Sequence, residues 1–118
     1  MLFRSASLEA ELVRYSARPL KIGSFSAASN VTGILSNSCE IAHVLHQHGA
    51  LSLWDFAAAG PYVDITMQAT CPDHPLGYKD AVFLSPHKFV GGPGTPGVLV
   101  VRKALLTNRV PEIGRAHV

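Results

Sequence analysis

Leu84-Ser85-Pro86-His87-Lys88-Phe89-Val90-Gly91-Gly92-Pro93-Gly94 is the stretch on which the reading of this 118-residue chain turns. Ahead of it stands Asp80-Ala81-Val82-Phe83-Leu84, a short apolar run of the length a fully buried strand needs. Behind it comes Gly97-Val98-Leu99-Val100-Val101, a second such run. Between them a hydroxyl, an imidazole and an ammonium group follow one another closely, at Ser85, His87 and Lys88. Then comes a bend of glycine and proline that neither helix nor strand can cross unbroken. Lysine is almost never buried without a partner or a task. A desolvated amine with a lowered pKa can form a Schiff base with a carbonyl group, which makes Lys88 a candidate catalytic residue. The competing reading is a solvated turn lysine.

Working outward, residues 61–78 are mostly irregular and contain Pro72, Pro75 and Gly77. A stretch of that length is usually functional or a tolerated insertion. Before it, Leu51-Ser52-Leu53-Trp54 reads as a strand ending at Asp55, with Ala57, Ala58, Ala59 and Gly60 after it. Asn37 to His48 reads as a helix. Asn37 is a good N-cap, Glu40 completes a capping box, and Ile41, Val44 and Leu45 form the apolar stripe. Gly49 sits where a C-terminal glycine belongs. His43, His46 and His48 do not repeat at a metal-binding spacing along one face, so the expectation is a solvated face carrying basic groups. Further upstream, Leu20 to Phe25 is a strand candidate that runs into the polar loop Ser26 to Gly33. Ser7 to Ser16 has helical spacing at Leu8, Leu12 and Tyr15, and Pro19 stops it. Downstream, Lys103 to Asn108 is a helical start. Strands alternating with helices predict an α/β domain with a mostly parallel sheet and covering helices. The last strand follows its predecessor without an intervening helix, so it is placed antiparallel.

Composition narrows the function. The chain is 47% apolar and 15% charged, ordinary for a globular domain. A net charge of +2 without a basic cluster argues against nucleic acid as partner. No apolar run approaches the roughly 18 residues of a membrane span, and no leader of the signal-peptide kind is visible, so the expected setting is the cytoplasm. Cys39 and Cys71 have no metal-type spacing and are too few for a disulfide scaffold, so both read as ordinary residues. Both ends look foreign. Glu112-Ile113-Gly114-Arg115-Ala116-His117-Val118 is what one strand of a common sequencing adapter encodes, and Met1-Leu2-Phe3-Arg4-Ser5 fits its reverse complement. Residues 1–5 and 112–118 are therefore expected to be scar, and 6–111 an internal fragment of a larger domain.

In an open α/β sheet, ligands bind beyond the carboxyl ends of the strands. Three such ends deliver polar groups here: Asn30 after the first, Asp55 after the second, and Ser85, His87 and Lys88 after the third. An amine, a carboxylate and hydroxyl or imidazole donors on one edge suit pyridoxal phosphate. The lysine makes the imine, and the carboxylate keeps the pyridine nitrogen protonated so that the ring can act as an electron sink.

The ordered set Ser29-Asn30-Val31-Thr32-Gly33, Trp54-Asp55-Phe56-Ala57 and Asp80-Ala81-Val82-Phe83-Leu84-Ser85-Pro86-His87-Lys88-Phe89 resembles the fold-type-I pyridoxal-phosphate enzymes. Within them it is most similar to the class V aminotransferase group, which includes cysteine desulfurases and selenocysteine lyases. The resemblance implies part of the cofactor-binding large domain, an amino acid substrate, and a homodimer in the full-length protein. It implies Lys88 as the Schiff-base and catalytic lysine, Asp55 against the pyridinium nitrogen, and Ser85 and His87 on the phosphate. Asn30 would meet the ring oxygen or the substrate carboxylate. Many cysteine desulfurases carry glutamine three positions after the aspartate; here that position is Ala58. Their nucleophilic cysteine lies on a loop well beyond the lysine, and neither Cys39 nor Cys71 matches it. Two other readings stand beside this one. Gly91-Gly92-Pro93-Gly94-Thr95-Pro96-Gly97 could cradle a phosphate or nucleotide, although it leads into a strand where a P-loop would lead into a helix. The isolated chain could also be a catalytically inert piece.

Overall fold

The computed structural model describes residues 5–109. Helix α1 (Ser5–Arg14) leads into strand β1 (Ile22–Ser26), helix α2 (Ser38–Gln47) and strand β2 (Leu51–Asp55). A long loop then reaches β3 (Ala81–Leu84), and the Lys88 segment joins it to β4 (Val98–Val101). The four strands lie in the order β1-β2-β3-β4, the first three parallel and β4 antiparallel to β3. This is the α/β, mostly parallel sheet that the sequence predicts, with the turn of direction at the last strand. The predicted last helix is only a 3-10 turn, Lys103–Leu105. Of the segments read as foreign, residues 1–4 and 112–118 lie outside the described residues, and Ser5 opens α1.

Helix α2 is fixed at both ends by local chemistry. The Asn37 side chain accepts the Glu40 backbone N–H at 3.3 Å, and its amide donates to the Glu40 carboxylate at 3.2 Å. At the other end Gly49 takes a φ of +70°, open to glycine at little cost. The chain then turns back, with the Ala50 N–H on the Leu45 carbonyl and the Gly49 N–H on the His46 carbonyl. That double bond pattern is a Schellman stop.

Strand register divides the sheet into two unlike faces. Phe25, Trp54 and Val82 share one face, and it packs against Leu12, Ile41 and Leu45 of the two helices in a single apolar cluster. Trp54 is fully buried, stacked on Phe25, and its indole N–H donates to the Ser52 hydroxyl at 2.6 Å. On the opposite face lie Ile22, Leu51, Leu53, Phe83 and Leu99. Both described helices belong to the first face, so Ile22, Phe83 and Leu99 stay 53%, 37% and 55% exposed. Only half of the expected helical covering is therefore present among the described residues. Parallel sheets are normally covered on both faces.

The loop between β2 and β3 is stitched along α2, and this overturns the solvated-histidine expectation. Cys39, His43 and His46 fall at i, i+4 and i+7 and so share one helical face. His43 Nδ1 accepts the Leu76 N–H at 3.1 Å, and its ring lies against His74. His46 is only 7% exposed in its side chain, stacked on Tyr78, with Nδ1 2.6 Å from the Leu76 carbonyl oxygen and Nε2 2.7 Å from Asp80. Cys39 and Cys71 form a disulfide, so neither is the ordinary residue the sequence reading made it. The spacing rule failed because it counted neighbours along the helix and could not see the loop that covers them. Only His48, 3.4 Å from Glu9, sits toward the outside. Among the described residues no three His, Cys, Asp or Glu side chains are placed to hold a metal ion.

Candidate functional site

Three parallel strands point their carboxyl ends at one edge, and α2 begins there too, because it follows β1 directly. Beyond that edge lies an open cavity of about 710 Å³, within the usual size of ligand sites. Asn30, Asp55 and Lys88 all line it, together with Ser26, Ala58 and Glu40. Three of the five predicted site residues, each from a different strand end and far apart in sequence, are thus brought to one space. A smaller adjoining lobe shares Asn30, Ala58 and Lys88 and adds Pro61 and Tyr62.

Each of these side chains is set by local structure. Asn30 rides on a tight loop after β1, closed by an isolated bridge between Ala28 and Leu35 and by the Ser36 hydroxyl on the Ser26 carbonyl at 2.9 Å. Within the loop the Ser29 hydroxyl accepts the Val31 and Thr32 N–H groups. Gly33 takes a φ of +72° where the chain reverses. Asp55 is the last residue of β2, and its carboxylate accepts the Ala57 N–H at 2.7 Å. That Asx-type turn orients the carboxylate while it remains a wall of the cavity. Lys88 ends a 3-10 turn, Pro86–Lys88, whose first N–H bond runs from Lys88 to the Ser85 carbonyl at 3.0 Å.

Ser85 and His87 are not among the residues lining the cavity. They sit in the same turn, Ser85 as its N-cap without a side-chain capping bond and His87 exposed. Lys88 itself is exposed. The burial expected of Lys88 from the sequence is thus not found among the described residues, where the face of the sheet beside it has no cover. The Gly-rich bend does not form an anion cradle. Its Gly92 and Thr95 N–H groups are spent on the Phe89 and Gly92 carbonyls, and the Thr95 hydroxyl also bonds Gly92 at 2.6 Å. Gly91 and Gly94 have φ of +79° and +87°. They shape a turn that folds on itself and delivers the chain to β4.

Sequence reading missed Ser26, Ser36, Asn37 and Glu40 as cavity walls. The signal was present: the capping box marks where α2 starts, and a helix that follows a parallel strand starts at the carboxyl edge.

The aminotransferase class-V family model matches residues 9–115. The chain belongs to the aminotransferase class V family. It is 37% identical over 91 residues to a protein of Halalkalibacterium halodurans described as a "probable cysteine desulfurase", covering 77% of this chain and 20% of that protein. It therefore spans about a fifth of the length of the curated relative it matches. A NifS-like protein from Rickettsia africae superposes with a TM-score of 0.68 at 24% identity, over 85% of this chain and 26% of that one. Serine palmitoyltransferase from S. paucimobilis, solved with PLP and myriocin, gives 0.61 at 23% identity, over 83% and 25%. At such identities the superpositions show the fold, that of the fold-type-I PLP enzymes, of which this chain forms part.

Proposed function

We propose that this chain is the central part of the cofactor-binding domain of a pyridoxal-phosphate-dependent enzyme that acts on an amino acid. The observation that carries the reading is the convergence of Lys88, Asp55 and Asn30 on one cavity at the carboxyl edge. The residues present fit the group: an amine for its carbonyl, a carboxylate for its ring nitrogen, an amide donor, and a small wall at Ala58 that leaves room for a flat ring. When bound, the cofactor supplies an electron sink for charge that develops at the substrate's α-carbon.

In this reading Lys88 Nζ would hold the cofactor through its carbonyl group and, as a free amine, would move a proton within the site. Asp55, held by the Ala57 N–H, keeps the ring nitrogen protonated. Asn30 orients the ring oxygen or the substrate carboxylate. Ser85 and His87 stand outside the cavity walls, and their phosphate-binding role rests on the family resemblance of the turn that carries them. The bare sheet face and the exposed Lys88 support a site completed by further chain and by the second subunit of a homodimer, so the isolated 118-residue chain would be inactive. Transamination and sulfur or selenium removal share this machinery; Ala58, where many cysteine desulfurases carry glutamine, weighs against the desulfurase subtype and leaves the cofactor chemistry intact. No helix of the described residues is long and apolar enough to cross a membrane, and the cytoplasm is the setting that goes with this reading.

The test is to mix the longest natural chain carrying this segment with pyridoxal phosphate and record the visible absorbance band of the bound cofactor. Lys88→Ala should lose the band, together with borohydride-stable labelling of the peptide around position 88. An unchanged band and label in the variant would remove Lys88 from its role.

A further inference from the structure

We propose that Cys39 and Cys71 form a reversible redox-modification site, whose oxidation locks the loop between β2 and β3 onto α2. The proposal is independent of the cofactor reading, which uses neither residue.

Three observations meet at this pair. Its Cα atoms lie 6.3 Å apart across 32 residues of sequence, a separation a disulfide spans without backbone movement. Cys39 is the second residue of a ten-residue helix whose start is pinned by the Asn37 cap, so its backbone is held in place. Cys71 lies in irregular chain that can approach and withdraw without breaking a helix or strand. One partner is thus fixed on a helix and the other sits on irregular chain.

The position gives the bond a mechanical role. Below it, Leu76 is held by His43 and His46, and Lys79 ties back to Thr66 and Met67. Around residues 70–74 the described noncovalent ties to α2 are weak: a 3.8 Å contact between Cys39 Sγ and the Thr70 hydroxyl, and the tilted His43–His74 ring pair. The disulfide is therefore the strong link of the loop's middle to the helix whose neighbouring Asn37 and Glu40 line the cavity.

Closure from the reduced state needs a small disulfide as oxidant. The Cys39 thiolate attacks one of its sulfurs, that S–S bond breaks, and one thiolate leaves with a mixed disulfide on Cys39. The Cys71 thiolate then attacks the Cys39 sulfur and expels the second thiolate. The pair has lost two electrons and two protons, and the oxidant has become two thiols. Persistent disulfides are rare in reducing compartments, where those that form are mostly transient and redox-active. Behaviour under exchange therefore separates a switch from a permanent staple.

The experiment takes the longest natural chain carrying this segment through dithiothreitol and then glutathione disulfide. Thiol trapping with peptide mapping reads the bond, far-UV circular dichroism reads the fold, and limited proteolysis reads the loop. The Cys39–Cys71 peptide should appear and disappear with the buffer at constant helix content. Cleavage within residues 63–77 should run about tenfold faster in the reduced form, because opening of this segment becomes easier. Cys71→Ser should be cut at the reduced rate in both buffers. If that variant folds poorly, the two states of the unaltered protein report the same difference. Failure of the folded, reduced protein to form the bond, unfolding on reduction, or equal cleavage in both states would each overturn the proposal.

Discussion

The helix-covered face of the sheet and its carboxyl edge are built on opposite terms. On the covered face, a buried carboxylate is fully engaged. Asp80 is 1% exposed and takes hydrogen bonds from the Ser52 N–H at 2.8 Å and Arg102 at 3.1 Å, with His46 Nε2 at 2.7 Å. Arg102 in turn lies over the Tyr78 ring, which stacks on His46. At the edge, Lys88, Asp55 and His87 are exposed, and of the three only the Asp55 carboxylate has a hydrogen bond among those described. One region spends its polar groups on holding β2, β3, β4, α2 and the long loop together. The other leaves them exposed, and exposed side chains of this kind contribute little to stability.

The largest test of this contrast is Asp80→Ala. Removing one member of a buried charge network should cost about 3–5 kcal/mol, read as a lower urea midpoint; a loss under about 1 kcal/mol would mean that the covered face does not carry the fold. The same carboxylate predicts an acid limb. Burial pushes its pKa up, but hydrogen bonds from His46, the Ser52 N–H and Arg102 outweigh that and hold it below the ordinary value. A depressed folded pKa gives stability that is complete above the unfolded value of about 4 and lost as pH falls through the folded one. The stability of the unaltered protein should therefore drop more steeply below about pH 4 than that of Asp80→Asn.

Asn37→Ala tests the one residue that belongs to both regions, since it caps α2 and lines the cavity. Loss of the cap should cost about 1 kcal/mol by urea denaturation, with weakened cofactor retention alongside. Lys79 gives a smaller effect of opposite sign. It is buried, with its amine on the Thr66 carbonyl at 3.0 Å, and desolvation lowers its pKa. The unfolded chain then binds that proton more tightly, so stability should rise as pH climbs toward the unfolded value of about 10.4. Lys79→Met should abolish that rise, and an unchanged alkaline limb would contradict the assignment. The smallest expected effect on stability is that of Lys88→Ala, within about 0.5 kcal/mol because the side chain is exposed. A larger loss in the thermal midpoint would show that the edge is structural after all.

Much of this was legible residue by residue. The four strands stand within about two residues of where alternation of apolar runs and breakers put them, and the Asn37–Glu40 pair marked the start of α2. The misses share one cause. His43, His46, Cys39 and Cys71 look unremarkable along the chain, and their roles come from a loop laid across the helix from some thirty positions away. Asp80 reads as the first residue of a strand run and Lys79 carries no signal along the chain, yet both are buried.

By itself, the sequence determined the order and kind of the elements, the capped limits of α2, and the residue types at the three strand ends, because these follow from spacing, turn chemistry and caps within a few residues. Only the tertiary structure decided that Asn30, Asp55 and Lys88 share a cavity, that one sheet face is bare among the described residues, and that the long loop is bolted to α2. Those facts depend on parallel strand register and on contacts between residues far apart in the chain, which no local pattern encodes.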